Sequence, residues 1–266
     1  MKKKKESRLR NTKIAIIFFI FLAVIAGVSG VFKIVAVVRA GQYDDSKRFT
    51  LSISSNKNLE VISFSPRTKS IAVFKLDKNV VPGRAGQFLE IPIDGRITTN
   101  SLDLNQKINS LFFRAVLNYK SLQTNLTIID LLKLLFFTSS VPESAVSVKN
   151  ISQGLTTEDM DKIVRLVNDE LIEKDNQTIQ IINGTNIGGL GNRLARFITN
   201  MGGDVIIVAT SDSPKMKSTI FYIGKKTYTV ERLSKVMGYE AIKSAEFAIS
   251  DITIIIGEDK VSSSPF

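Results

Sequence analysis

The run IAIIFFIFLAVIAGVSGVF, Ile14 to Phe32, holds nineteen residues without a charge. At about 1.5 Å per residue it spans the roughly 30 Å of a bilayer's hydrocarbon core. A run of this kind has no polar face to turn to water, so the chain must divide into a lipid-borne segment and a remainder that folds separately. The apolar character continues to Val38 past Lys33, whose stem can snorkel to the interface, so residues 14–38 read as one transmembrane helix. The preceding stretch, KKKKESRLRNTK over residues 2–13, carries seven basic residues and one acidic. That excess predicts a cytoplasmic N-terminus and an extracytoplasmic remainder, and attraction to anionic lipid accounts for the tail without a nucleic-acid partner. The small residues AGVSG at 26–30 also imitate a signal-peptide exit, and a cleaved leader is the alternative reading.

The 266 residues carry a net charge of +11, of which the tail supplies six. The rest is mildly basic, which suits an anionic wall polymer and equally an ordinary solvated surface. Cys, His and Trp are absent. Thiolate and imidazole chemistry, soft metal sites and disulfides are thereby excluded, and no cofactor or metal is expected. Any enzyme built on this chain would depend on carboxylates, lysines or hydroxyls.

Beyond the span, the polar stretch at 41–48 reads as a juxtamembrane linker. FTLSIS at 49–54 alternates as a strand, and LEVISFSPRTKSIAVFKL from Leu59 to Leu76 reads as a hairpin turning at SPRTK. VVPGRAGQFLEIPID reads as a loop and a short extended run, confined to edges or bends by Pro82 and Pro92. Ile108, Leu111, Phe112, Ala115 and Val116 then form one helical stripe, and Ile128 to Phe137 a second apolar helix. That helix is too short and, with Asp130 and Lys133, too charged for another span. Residues 43–150 thus read as a small α+β module. Thr156 to Lys174 reads as a capped amphipathic helix whose acidic first turn suits the helix dipole, giving a linker over 151–176.

The remaining pattern, over 177–260, is β-α-β-β-α-β, which predicts a ferredoxin-like sheet with two helices on one face. A disordered tail is expected over 261–266. The first strand of this module enters the corner NGTNIGGLG, Asn183 to Gly191. Its glycine spacing fits neither the dinucleotide fingerprint nor the phosphate loop, and Asn192 stands where a phosphate loop needs lysine. A helix start tolerates anions. The plainer reading is that the glycines serve the turn while Asn183 and Thr185 bond backbone groups.

These residues also carry a resemblance. IQIINGTNIGGLGNRLARFITNMGGDVIIV, TSDSPKMKSTIFYI and ISDITIIIGED resemble the C-terminal domain of the LytR-CpsA-Psr cell-envelope family. That domain opens on I-x-V-x-N-G-T and closes on A-D-[IV]-x-[IV]-x-[IV]-G-x-D. Asn183, Gly184, Thr185, Gly189, Leu190, Asp251, Gly257 and Asp259 occupy motif positions and are the candidate binding residues. The chain departs from the pattern at Gly191 and Ser250. The resemblance implies a bacterial envelope protein, in a family whose catalytic domain transfers glycopolymers from a lipid pyrophosphate carrier with arginines, aspartates and a divalent ion. Residues 59–116 resemble the start of that domain, but its S-[IV]-P-R-D motif falls on Phe74 to Lys78, FKLDK, without the Arg-Asp pair. The region is also too short for a complete catalytic domain.

Asp44 with Asp45, Glu158 with Asp159 and Asp161, and Glu258 with Asp259 are candidate acid or metal pairs. Neighbours in sequence seldom converge on one point, and solvated surface explains them. Four N-x-[ST] triplets, beginning at Asn125, Asn150, Asn176 and Asn183, have no meaning as glycan acceptors in a bacterial envelope. The expected protein is a single-pass anchor carrying a non-catalytic binding or scaffolding unit for wall glycopolymer or another envelope protein. The alternatives are a degenerate or partner-completed phosphotransferase using Arg67, Asp77 or Arg84, and an envelope regulator signalling through the basic tail.

Overall fold

The computed structural model describes residues 2–56, 58–77, 79–151, 157–244, 249–263 and 265–266, with the side chains of 2–15, 17, 34, 157–160 and 263 outside the description. Lys2–Arg39 forms one continuous helix, α1. Its stretch Phe18–Arg39, with a mean hydropathy of 2.4, is long and apolar enough to cross a membrane. Large side chains such as Phe19 and Phe32 are exposed along it, as lipid-facing residues are. Gln42–Phe266 form a separate compact unit.

The first half of that unit is a six-stranded sheet. Its strands are β1 (Phe49–Ser55), β2 (Asn58–Ser65), β3 (Ser70–Leu76), β4 (Gly95–Thr99), β5 (Gln123–Thr124) and β6 (Val146–Ile151), in the order β5-β4-β1-β2-β3-β6. β1, β2 and β3 make an antiparallel meander, with β4 parallel to β1 and β6 parallel to β3. The hairpin at SPRTK forms as its turn residues predict. VVPGRAGQFLEIPID differs from its expected extended run. Pro82 starts a single 3-10 turn and Ala85–Leu89 forms a short helix, α2, ended by Glu90 in the left-handed region. Proline at the first position of a helical turn loses no hydrogen bond, and its fixed φ favours the turn.

β2 is buried along nearly its whole length because both faces of the sheet are covered. On one face α3 (Ile108–Leu117) and α4 (Ile128–Ser140) pack Leu111, Phe112, Leu131 and Leu134 against Leu51, Ile62, Phe64 and Ile71. Each fully buried side chain of this size contributes about 1.5–3 kcal/mol relative to exposure. Thr127 and Asp130 close a reciprocal capping box at the start of α4. The Asp130 carboxylate also accepts from the backbone N–H groups of Gln42 and Tyr43 at 3.0–3.2 Å. On the other face α2 and α5 (Thr157–Val167) bury Leu89, Ile163 and Val167 over Leu59, Val61 and Phe74. The amphipathic stripe thus docks on the first sheet. The segment expected as one helix is two, because Asp169 accepts the Leu171 N–H and caps α6 (Glu170–Asp175).

The second half contains β7 (Thr178–Asn183), α7 (Leu190–Asn200), β8 (Asp204–Thr210), β9 (Thr219–Tyr222), α8 (Tyr228–Met237), β10 (Glu240–Lys243) and β11 (Ile252–Ile256). The expected α+β class holds, but the ferredoxin-like order does not. The order is β10-β9-β11-β7-β8, with β7 parallel to β8 and to β11, and β9 antiparallel to β11. In the ferredoxin arrangement another strand separates the two parallel strands of each β-α-β unit. Here each helix returns its strand directly beside the one before it, and β11, buried at all five positions, takes the centre. A fifth strand, β10, pairs parallel with β9. The expected disordered tail is also corrected: Glu258–Ser263 forms 3-10 turns, and Phe266 is buried with its ring 6.0 Å from that of Phe197.

The two sheets meet through a buried arginine. The α8 residue Arg232 donates to both carboxylate oxygens of Asp94 at 2.5 and 2.9 Å, and each side chain is at most 7% exposed. Asp94, just before β4, is tied to β1 by its own N–H to Thr50 O and by accepting the Thr50 N–H. Asp169 lies 3.8 Å from Arg232 Nε and accepts the Tyr228 hydroxyl at 2.7 Å. Burial disfavours the Arg232 charge, but Asp94 outweighs it and the guanidinium is held more firmly protonated than usual. Burial, with Asp169 adding to it, raises the Tyr228 hydroxyl well above its ordinary value. Outside this centre Arg196 bonds Glu90 at 2.8–3.1 Å and Asn200 donates to Glu90 O.

Replacing one member of such a pair leaves an uncompensated buried charge, at a cost of about 3–5 kcal/mol. Arg232→Met is therefore expected to lower stability by that amount in denaturant titration. Asp94→Asn combined with Arg232→Met should cost clearly less than the sum of the two single changes.

Candidate functional site

The motif corner forms a structural joint. Asn183 Oδ1 accepts from the N–H and hydroxyl of Thr185 at 3.1 and 2.8 Å, while its amide donates to Ile187 O at 2.9 Å. Thr185 Oγ1 in turn accepts the Ile187 N–H. Gly184 donates to Ile256 O and accepts from Lys215 N, so the end of β7, the end of β11 and the loop before β9 are joined. Asp259 accepts the N–H and hydroxyl of Ser218 at 2.8 and 2.7 Å, and Glu258 accepts the Asn186 N–H. Gly257 has no room for a side chain, because a Cβ there would lie 2.5 Å from the Lys217 backbone carbon. Gly189 enters α7 with a φ of 77°, and Leu190 is buried behind it. Asp251 lies at the opposite end of the strands, bonded reciprocally to Thr178 at the start of β7.

The structure thus gathers Asn183, Gly184, Thr185, Gly257 and Asp259 round one loop and sets Asp251 apart. Their polar atoms are spent on the domain's own backbone. Gly257→Ala is expected to lower stability by about 1–3 kcal/mol through overpacking. Gly188→Ala, where a Cβ meets nothing and φ is not positive, should leave stability unchanged or raise it slightly. Thermal unfolding of the two variants side by side checks both.

The residues named for phosphotransfer do not assemble. Arg67 lies in the turn before β3, 3.4 Å from Glu170, and Asp77 follows the far end of that strand. At about 3.3 Å per residue a seven-residue strand separates them by more than roughly 20 Å. Among the acidic pairs, Asp44 is bonded to Ser46 and Lys47, and the side chains of Glu158 and Asp159 lie outside the described residues. Among the described residues no group of three acidic side chains gathers as a metal site.

Two cavities are relevant. One, of about 500 Å³, lies between the first sheet and the facing ends of α3 and α4. Its walls are apolar, Ile62, Val73, Leu104 and Val141 among them, with the Glu60–Lys75 and Lys107–Glu143 ion pairs at its edges. Burial raises the Glu60 carboxyl above its ordinary value, only partly offset by Lys75. The other, of about 580 Å³, opens along the seam of the two sheets. The α2 region supplies Arg84 and Gln87, β4 and its approach supply Asp94 and Arg96, α8 supplies Lys235, and the C-terminal turn supplies Ser262.

Asp94 is the anion in that seam cleft, and its charge is consumed by Arg232. Arg84, Arg96 and Lys235 form no ion pair among the described residues, so the cleft presents three uncompensated cations. Of these the sequence singles out only Arg84. Arg96 and Lys235 lie 139 positions apart, and only the net positive charge of the folded part points to them.

Residues 176–259, about a third of the chain, match the family described as LytR cell envelope-related transcriptional attenuator. No curated protein sequence matches the chain. Among solved structures it is similar to the transcriptional regulator yvhJ from Bacillus subtilis, at 14% identity and a TM-score of 0.34, over 44% of this chain and 94% of that one. Lin1025 from Listeria innocua gives 12% identity and 0.32 over 40% and 83%, and TagV from B. subtilis gives 12% and 0.31 over 44% and 94%. Likenesses at TM-scores this low are too distant to bear on function. The joint formed by the opening and closing motifs lies within the matched residues, so this segment, residues 176–259, is similar to the LytR-type C-terminal domain family.

Proposed function

We propose that the protein is a single-pass membrane protein of the bacterial envelope, with a cytoplasmic N-terminus, whose outer part binds anionic wall glycopolymer without catalysing its transfer. The observation that carries this reading is the seam cleft, where Arg84, Arg96 and Lys235 face solvent with their charges uncompensated. Such a cleft attracts a flexible polyanion chiefly through charge, so binding weakens as salt screens it. The LytR-type domain supplies one wall of the cleft through Lys235 and Val236 of α8. Arg67 and Asp77 lie too far apart to serve one phosphoryl group, which favours binding over transfer.

The test is titration of the full chain in detergent with a poly(glycerol phosphate) at about 0.1 M salt. Saturable binding is expected that weakens with added salt, and the combined Arg84→Gln, Arg96→Gln and Lys235→Gln variant should lose at least about tenfold in affinity. Equal binding by parent and variant, or none by the parent at low salt, contradicts the reading.

The apolar groove between the first sheet and the ends of α3 and α4 favours a second reading, an enzyme that a partner completes on a lipid-linked substrate. Pyrophosphate binding in the presence of Mg²⁺, lost on replacing the groove residues Lys75 or Lys107 and kept on replacing Arg84, would support that reading instead.

A further inference from the structure

Helices α3 and α4 expose an apolar stripe that the fold does not use. On α4, Ile128, Leu132 and Phe136 follow one another at four-residue spacing, and on α3 Phe113 and Leu117 do the same. Residues four apart share a helix face. Phe136 is 72% exposed and Leu117 68%. The two helices pack together, and Leu117 and Ile128 line one shallow apolar pocket. A helix facing water normally carries polar residues at such positions, and an exposed apolar patch this continuous marks an interaction surface. Arg114, Lys120 and Lys133 lie on the same exposed sides, with no ion pair among the described residues.

The chain itself indicates what covers this face. Arg39 ends α1, and Gln42 is already fixed to Asp130 in the first turn of α4. Only Ala40 and Gly41 intervene, so at 3.8 Å per Cα step no more than about 11 Å of chain joins Arg39 to Gln42, the residue bonded to Asp130. We propose that the α3–α4 face lies on the outer surface of the bilayer, with Leu117, Leu132 and Phe136 entering the interface and Arg114, Lys120 and Lys133 meeting anionic lipid headgroups. Interfacial helices bind by this combination of an apolar face and basic flanks. The inference rests on the reading of α1 as a membrane anchor.

The absence of cysteine allows single labels to be placed without background. The full chain, carrying a nitroxide at Phe136→Cys, Leu117→Cys, Met216→Cys or Phe21→Cys, is reconstituted into vesicles of neutral lipid with about one third phosphatidylglycerol. Accessibility to dissolved oxygen and to a water-soluble nickel complex is then read at each site. The expected result is lipid-type accessibility at 21, 117 and 136 and water-type at 216, with the signals at 117 and 136 shifting toward water when phosphatidylglycerol is omitted. Lipid at 21 with water at both 117 and 136 overturns the inference and leaves the anchor intact. Water at 21 overturns the anchor reading and the inference with it. Spin–spin broadening at 136 that disappears on dilution with unlabelled chain assigns the face to a second copy of the protein and also overturns the inference.

Discussion

The Arg232–Asp94 pair makes one body of two sheets that share no strand. Each partner is fixed on its own side before they meet: Asp94 by two backbone bonds to β1, and Arg232 within a helix capped by Thr227 and Gly238. That prior ordering lets a buried ion pair repay the cost of desolvating two charges. The neighbouring contact of Arg196 with Glu90 is more exposed and adds register more than energy. The pair also shapes the neighbouring cleft. Asp94 would otherwise neutralise one of the cations there, and its engagement with Arg232 leaves the cleft basic.

The helices are the most legible part of this sequence. Leu111, Phe112 and Ala115 share a face because the chain must cover a sheet, and the periodicity records that demand directly. Strand order is not recorded in the same way, since β-α-β-β-α-β describes succession along the chain and says nothing about which strands pair. The buried run of β11 points to a central position. Glu240–Lys243, with a charge at each end and four residues in all, looks like a turn until β9 provides its partner. Charged residues on a short outer strand also discourage pairing with other chains. Asp169 illustrates a different loss: its capping role was readable, but the apolar stripe running through Val167 and Leu171 concealed the break in the helix.

The candidate site was legible only in part, for a related reason. Asn183, Gly184, Thr185, Gly257 and Asp259 form compact motifs, and compact motifs are what a tight joint between two strand ends requires. Binding surfaces on this fold are instead assembled from distant segments, as Arg84, Arg96 and Lys235 are. Single cations scattered through a basic sequence carry no pattern until the sheets bring them together.

The account depends on the two sheets behaving as one cooperative body, because the seam cleft exists only while they do. Single tryptophans placed at the half-buried positions Phe137 and Tyr222, one against each core, report the two halves separately in a chain that has no other tryptophan. In urea the two probes are predicted to give one midpoint, which rises for both when a saturating anionic polymer is added. Two separate midpoints in the parent protein, with the polymer moving neither or only one, would contradict the account.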